Sequence, residues 1–276
     1  MNLANLTVNV RPLTSYQAIH LGLMMARHWF MPLWSLWWRR MLPVLVSIGM
    51  VLGALYYFNV LDHGVDSMVS FWMGVLLWWL KPYAEVPSVI YLSQKLFDKD
   101  YTPEQAWQQV RQLPTKHTLL LLSRHRLTLR RQILMPILLL EQQDQAHMKA
   151  RLRVLSQSQG SGITWHTFVF SLLEIIGYIG LLVLLSQLVP QSWLAQGKWF
   201  AWLQQDPIWL QTLMYAVSMG VVSVISPFYI ASGFGLYICK RSLLEGWDIE
   251  LKFRKLTQRF EAMRVNQAFL DTGSEP

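Results

Sequence analysis

The sequence predicts an all-α, polytopic membrane protein with about four transmembrane helices, interfacial or amphipathic cytoplasmic helices, and both termini on the cytoplasmic side. Three observations lead there. Of 276 residues, 53% are hydrophobic and 14% charged, against roughly 45–50% and about 25% in ordinary soluble domains. Long uncharged runs recur along the chain. The basic residues are distributed on one side of those runs.

Residues 1–40 form a cytoplasmic interfacial element. In Thr14 to Arg40, TSYQAIHLGLMMARHWFMPLWSLWWRR, Thr14 or Ser15 is placed to cap a helix. Ile19, Leu23, Ala26 and Phe30 then recur at helical spacing beside His20 and Arg27. Trp29, Trp34, Trp37 and Trp38 suit the headgroup level, and the chain is expected to turn at Pro32 into the first span. That span, Met41 to Leu61, has 21 residues without a charge, enough for a hydrocarbon core of about 30 Å. The second, residues 67–92, is apolar only from Ser67 to Leu80 and is expected to be broken or kinked at Lys81-Pro82.

Residues 93–162 make a cytoplasmic amphipathic or re-entrant segment. Thr102-Pro103-Glu104 supplies a cap, a proline at the first helical position and an acid in the first turn, predicting a helix from about Pro103 to Leu113. Around Arg124, Arg126, Arg130 and Arg131 the apolar blocks are too short to span. Residues 118–140 therefore read either as paired amphipathic helices or as a shallow re-entrant hairpin. Residues 163–189 give the third span and 208–239 the fourth. Residues 240–276 continue as an amphipathic tail, with Asp248 to Lys252 and Glu250 to Arg254 spaced as acid-before-base helical pairs.

Residues 1–40 carry four Lys or Arg, residues 81–162 twelve and residues 240–276 seven, while the loops 62–66 and 190–207 contain Lys198 alone. By the positive-inside rule the basic side is cytoplasmic. No removed signal peptide is expected. The formal net charge of +8 is then explained by anionic headgroups, without nucleic acid. A single cysteine, Cys239, excludes an internal disulfide. No Walker A loop, G-x-S-x-G elbow, H-E-x-x-H pair or Cys-His nucleophile is present, so neither catalysis, a metal nor a cofactor is expected.

Several phrases resemble a family of bacterial inner-membrane proteins found beside MoxR-type AAA ATPases and transglutaminase-like membrane proteins. They are RPLTSYQAIHLGLMMARHW, WWLKPYAEV, RLRVL at Arg151 to Leu155, and YIASGFGLYICKRSLLEGWDIELKFR. The family's leucine-arginine-rich middle is interrupted here by Gln- and His-containing stretches. The resemblance implies an inner-membrane location and a link to an ATPase-containing system, with no established reaction.

Glu174 stands near the middle of the third span, where an ionisable side chain should face the bundle and find a partner such as Tyr178 or a serine of the fourth span. An interhelical hydrogen bond is preferred there over an ion or substrate contact. Lys81, with Glu85 one turn on, reads as a snorkelling headgroup contact in preference to a transport site. Gly49 with Gly53, Ala216 with Gly220 and Ala231 with Gly235 are expected to pack helices within the chain in preference to forming a dimer face. Arg124, Arg126, Arg130 and Arg131 are candidate headgroup ligands. Glu245, Trp247, Asp248 and Glu250 form a candidate docking surface for a membrane or cytoplasmic protein, an AAA ATPase among them. The sequence reads as a non-enzymatic inner-membrane component that docks partners. The alternative is a transporter or lipid-handling protein using Glu174 and the broken second span.

Overall fold

The computed structural model describes residues 14–58, 67–114, 121–123, 128, 130–141, 153, 160–188 and 208–245. Among them no strand occurs. The helices that position the site are α1 (Ser15–His28), α2 (Phe30–Tyr57), α3 (Ser67–Lys95), α4 (Pro103–Gln112), α5 (Arg131–Pro136), α6 (Gly160–Gln187) and α7 (Ile208–Glu245). A π-helical turn, Ile137–Glu141, extends α5. Three stretches are long and apolar enough to cross a membrane: Phe30–Ala54 in α2, Ile163–Gln187 in α6 and Thr212–Leu244 in α7. The helix α3 is not among them, because its apolar run stops at Lys81.

Local chemistry fixes the helix starts. Thr14 and Gln17 form a reciprocal capping box at α1, as Thr102 and Gln105 do at α4. Each satisfies two backbone donors that a helix leaves open. The prediction for α4 ended one residue later, at Leu113, which is its C-cap. The break between α1 and α2 falls at Trp29, not at Pro32. Proline in the first turn of a helix removes an N–H that has no partner there, so Pro32 starts α2 rather than ending α1.

The long helix α7 is the axis of the packing. Both α1 and α2 run antiparallel along it. Gly22 lies on the Ala231–Ser232 backbone and Gly235 on that of Ala18 and Gly22. Further along, the rings of Phe30 and Phe228 are 5.7 Å apart, and Trp34 Nε1 donates to Ser223 Oγ at 3.2 Å. On another flank, α5 presses against the backbone of Gly233 through Gln132. The helix predicted at the interface thus packs along α7.

Burial divides the molecule into two environments. Around the second half of α7, from Tyr229 to Cys239, α1, the second half of α3, α4 and α5 enclose a continuous core that includes Leu33, Val89, Leu92, Ile133, Leu134, Phe234 and Tyr237. At the other end, large apolar side chains face outward, among them Leu42, Val46, Met50 and Tyr57 on α2, Trp72, Leu76 and Trp78 on α3, Phe168, Leu172, Ile176 and Leu184 on α6, and Leu213 and Val224 on α7. Outward apolar bands on several adjacent helices suit lipid as solvent.

Three sequence expectations are corrected here. The helix α3 runs unbroken through Pro82 and Pro87. Prolines are tolerated because the turns that follow are packed on every side, with Ala84, Val86, Val89, Ile90 and Leu92 all buried. Within the described part of 118–140, Arg131 to Leu139 are buried throughout, between α3 and α7, which is not the placement of an amphipathic helix on a surface. Gly49, Gly53 and Gly220 meet nothing within 4 Å, whereas Gly235 makes the close approach expected of it.

This packing separates the glycines into two classes. A Cβ on Gly22 would come 2.3 Å from the Ala231 carbonyl oxygen, and one on Gly235 2.5 Å from that of Ala18. Gly22→Ala or Gly235→Ala is expected to destabilise by about 1–3 kcal/mol through overpacking. Gly53→Ala should be neutral or stabilising by up to about 1 kcal/mol. Thermal unfolding in one nanodisc composition compares them.

Candidate functional site

Two polar clusters and a cleft surround the first half of α6. The first cluster joins three helices. Lys81 of α3 forms an ion pair with Glu174 of α6 and lies 3.9 Å from Glu85 one turn on. Glu85, completely buried, also receives the Arg131 guanidinium of α5, with Nη2 3.2 Å from Oε2 and 3.4 Å from Oε1. Two cations therefore alternate with two carboxylates. Beside them Tyr229 of α7 offers its ring, 5.2 Å from Lys81 Nζ and 5.5 Å from Arg131 Cζ. Removing such charges from water costs several kcal/mol per ion, and the alternating arrangement offsets that cost only while every member is present.

The second cluster lies nearer the start of α6. Gln132 Nε2 donates to the Ile163 carbonyl at 2.5 Å. A carbonyl can only accept, so the amide is oriented with Nε2 toward Ile163 and Oε1 toward His166 and Thr167, all on α6. There it accepts from Thr167 Oγ1 at 3.0 Å and contacts His166 Nδ1, which must carry a proton. His166 Nε2 is 2.7 Å from Ser232 Oγ, and Ser232 Oγ is also 2.5 Å from the Phe228 carbonyl. One hydroxyl proton serves either His166 or the backbone. Successive residues Arg131 and Gln132 thus reach both clusters from the same buried turn.

The cleft opens between α1, α6 and α7, with a volume of about 900 Å³. Ile19, Leu23, Val169, Phe170, Leu173 and Phe228 are among its apolar lining residues, and Thr14, Ser15, Tyr16 and His166 contribute polar groups. The His166 ring packs on Phe170 (4.7 Å) and Tyr229 (5.5 Å). Tyr229 is therefore the layer between the cleft wall and the ion pairs. Trp165 and Leu173, both lining residues, are 61% and 46% exposed, so the cleft is continuous with the outward apolar flank of α6.

The sequence-derived candidates fare differently. Lys81, Glu85 and Glu174 are brought together, with Lys81 rather than Tyr178 or a serine facing Glu174; the Tyr178 hydroxyl is 3.7 Å from the Met214 sulfur. Lys81 does not snorkel, because two carboxylates hold it inside. Arg131 faces Glu85 and not a headgroup, being 6% exposed. Arg130 is exposed. Arg124 and Arg126 lie outside the described residues, as do Trp247, Asp248 and Glu250, and Glu245 is the last residue of α7. Sequence reasoning missed Gln132, Tyr229 and Ser232 and gave His166 no role. A signal was present: His166, Phe170 and Glu174 are spaced i, i+4, i+8, marking one inward stripe on an otherwise apolar helix.

Comparison with family models, curated proteins and solved structures yields no match to this chain.

The ion pairs make a direct energetic forecast. Lys81→Met leaves Glu174 charged without its cation and is expected to cost about 3–5 kcal/mol. Adding Glu174→Met removes the orphaned charge and should recover most of that loss, whereas independent sites would give additive losses. Unfolding of the two single variants and the double variant in identical nanodiscs measures the coupling.

Proposed function

We propose that this protein is a non-enzymatic, multi-pass component of the bacterial inner membrane that takes up the hydrocarbon chain of a membrane lipid or lipid-linked molecule in the α1–α6–α7 cleft. The observation that carries the reading is the cleft itself: it is mainly apolar, about 900 Å³ in volume and continuous with the outward flank of α6. Its size falls within the roughly 300–1,000 Å³ of ordinary small-molecule sites. Lipid chains are the apolar molecules present at high concentration on that flank. None of the lining residues is charged, which favours a chain over a headgroup as occupant.

In this reading the ion pairs position the cleft rather than contact its occupant. Lys81 and Glu174 tie the middle of α6 to α3, and Gln132 ties its start to α5, so the spacing between α6 and α1 is set by polar contacts. The helix α3 completes four crossings, with both termini cytoplasmic. One-sided placement of 23 of the 24 Lys and Arg residues supports that orientation, although Lys81 and Arg131 are committed to buried pairs.

Filling the cleft tests the proposal. Val169→Trp with Leu173→Trp is expected to reduce co-purifying lipid, read by mass spectrometry after nanodisc isolation, by about half or more, because two indoles placed on the cleft wall obstruct a site of ordinary small-molecule size. Thermal stability should change little. Unchanged lipid content in a cleft shown to be filled would reject hydrocarbon-chain binding there.

A further inference from the structure

A second feature lies away from the cleft, where α2 meets α4. The sequence WSLWWRR places Arg39 and Arg40 directly before the outward apolar band of α2, whose first member is Leu42, 51% exposed. The two arginines follow Trp34, Trp37 and Trp38 and precede the uncharged run that begins at Met41, the sequence pattern of a helix passing from headgroups to hydrocarbon. Trp107 of α4 gathers two guanidinium groups there. Arg39 Cζ is 5.0 Å from its ring centroid and Arg111 Cζ 5.7 Å. Arg39 Nη1 also pairs with Glu104 Oε1 at 2.6 Å, and both side chains are open to solvent, 42% and 66% exposed. Arg111 is exposed and forms no ion pair among the described residues.

The charge balance is one-sided. Of the two accessible guanidiniums, only that of Arg39 pairs with a carboxylate among the described residues. The adjacent Arg40 is buried over the Tyr83 ring at 4.0 Å and forms no ion pair among the described residues, so it adds a further uncompensated positive charge nearby. Guanidinium groups suit phosphate oxygens geometrically, and stacking on an indole reduces the rotamer freedom that binding must remove. A bilayer with anionic lipids supplies phosphate groups at this depth.

We propose that Arg39, Arg111 and Trp107 form a binding site for a phosphate group, supplied by the headgroup of an anionic phospholipid. Glu104 competes with the phosphate for Arg39 and keeps the site closed to weaker anions. The site is independent of the cleft: its residues belong to α2 and α4, and it takes a headgroup where the cleft takes a chain.

The full chain in nanodiscs of phosphatidylcholine doped with phosphatidylglycerol tests this by native mass spectrometry of retained lipid. Phosphatidylglycerol is expected to be retained in preference to phosphatidylcholine. Arg39→Gln and Arg111→Gln should each lower that preference by about fivefold. Glu104→Gln should raise it, a gain that damage to the fold would not produce. Retention unaffected by excess inorganic phosphate identifies a headgroup site. Loss of retention to inorganic phosphate, with the same dependence on the variants, keeps the phosphate site and assigns its source to a soluble anion. Equal preference in wild type, Arg39→Gln, Arg111→Gln and Glu104→Gln overturns the proposal.

Discussion

The ion pair between Lys81 and Glu174 is the contact on which the placement of α6 depends. Most large side chains of α6 face outward, and in lipid an outward apolar face gains nothing from being buried against another apolar helix. Close packing and polar contacts must hold such a helix. Gly177 supplies the first, since even a Cβ there would lie 3.0 Å from Val221 Cγ1. Lys81–Glu174 and the Gln132–His166–Ser232 cluster supply the second. Each polar group removed would leave its partner without compensation in a medium that offers no water. The same clusters that restrain α6 therefore border the cleft.

A second constraint comes from the length of α7. Its 38 residues extend about 57 Å, far beyond the roughly 30 Å of a hydrocarbon core. The surplus is wrapped by α1, α3, α4 and α5 into a core whose burial resembles that of a soluble domain. Charged residues belong at the junction between that core and the outward-facing band. Arg131, Glu85, Lys81 and Glu174 form a largely buried set across α3, α5 and α6, while Arg39, Glu104 and Arg111 form an accessible one where α2 meets α4. In the first set the charges are matched in number; in the second, cations exceed carboxylates and stay accessible. The first set suits a fixed clamp and the second a surface for anions.

Much of the helical content is legible in composition and local pattern. Uncharged runs reveal the three long apolar helices, and the Thr14 and Thr102 caps reveal where α1 and α4 begin, because these features depend on neighbouring residues alone. Tertiary contacts decide the rest. Lys81-Pro82 looks like a helix break until Glu174 and Glu85 are brought beside it. Arg131 looks like a headgroup ligand until α5 is threaded between α3 and α7. Gly49 and Gly53 have the spacing of a packing motif, yet among the described residues nothing comes within 4 Å of a Cβ placed at either. Glu174 was recognisable as inward-facing; its partner, 93 residues away, was not, since sequence spacing carries no record of which helices become neighbours.

Spin labels would test the clamp most directly. With Cys239→Ser as background, labels at Leu76→Cys on α3 and Ile176→Cys on α6, both exposed positions, report the separation of the two helices by pulsed dipolar spectroscopy in nanodiscs. A single narrow distance distribution is expected, becoming broader and longer when Glu174→Gln is added. An unchanged distribution with Glu174→Gln would contradict the claim that this ion pair holds α6 in place.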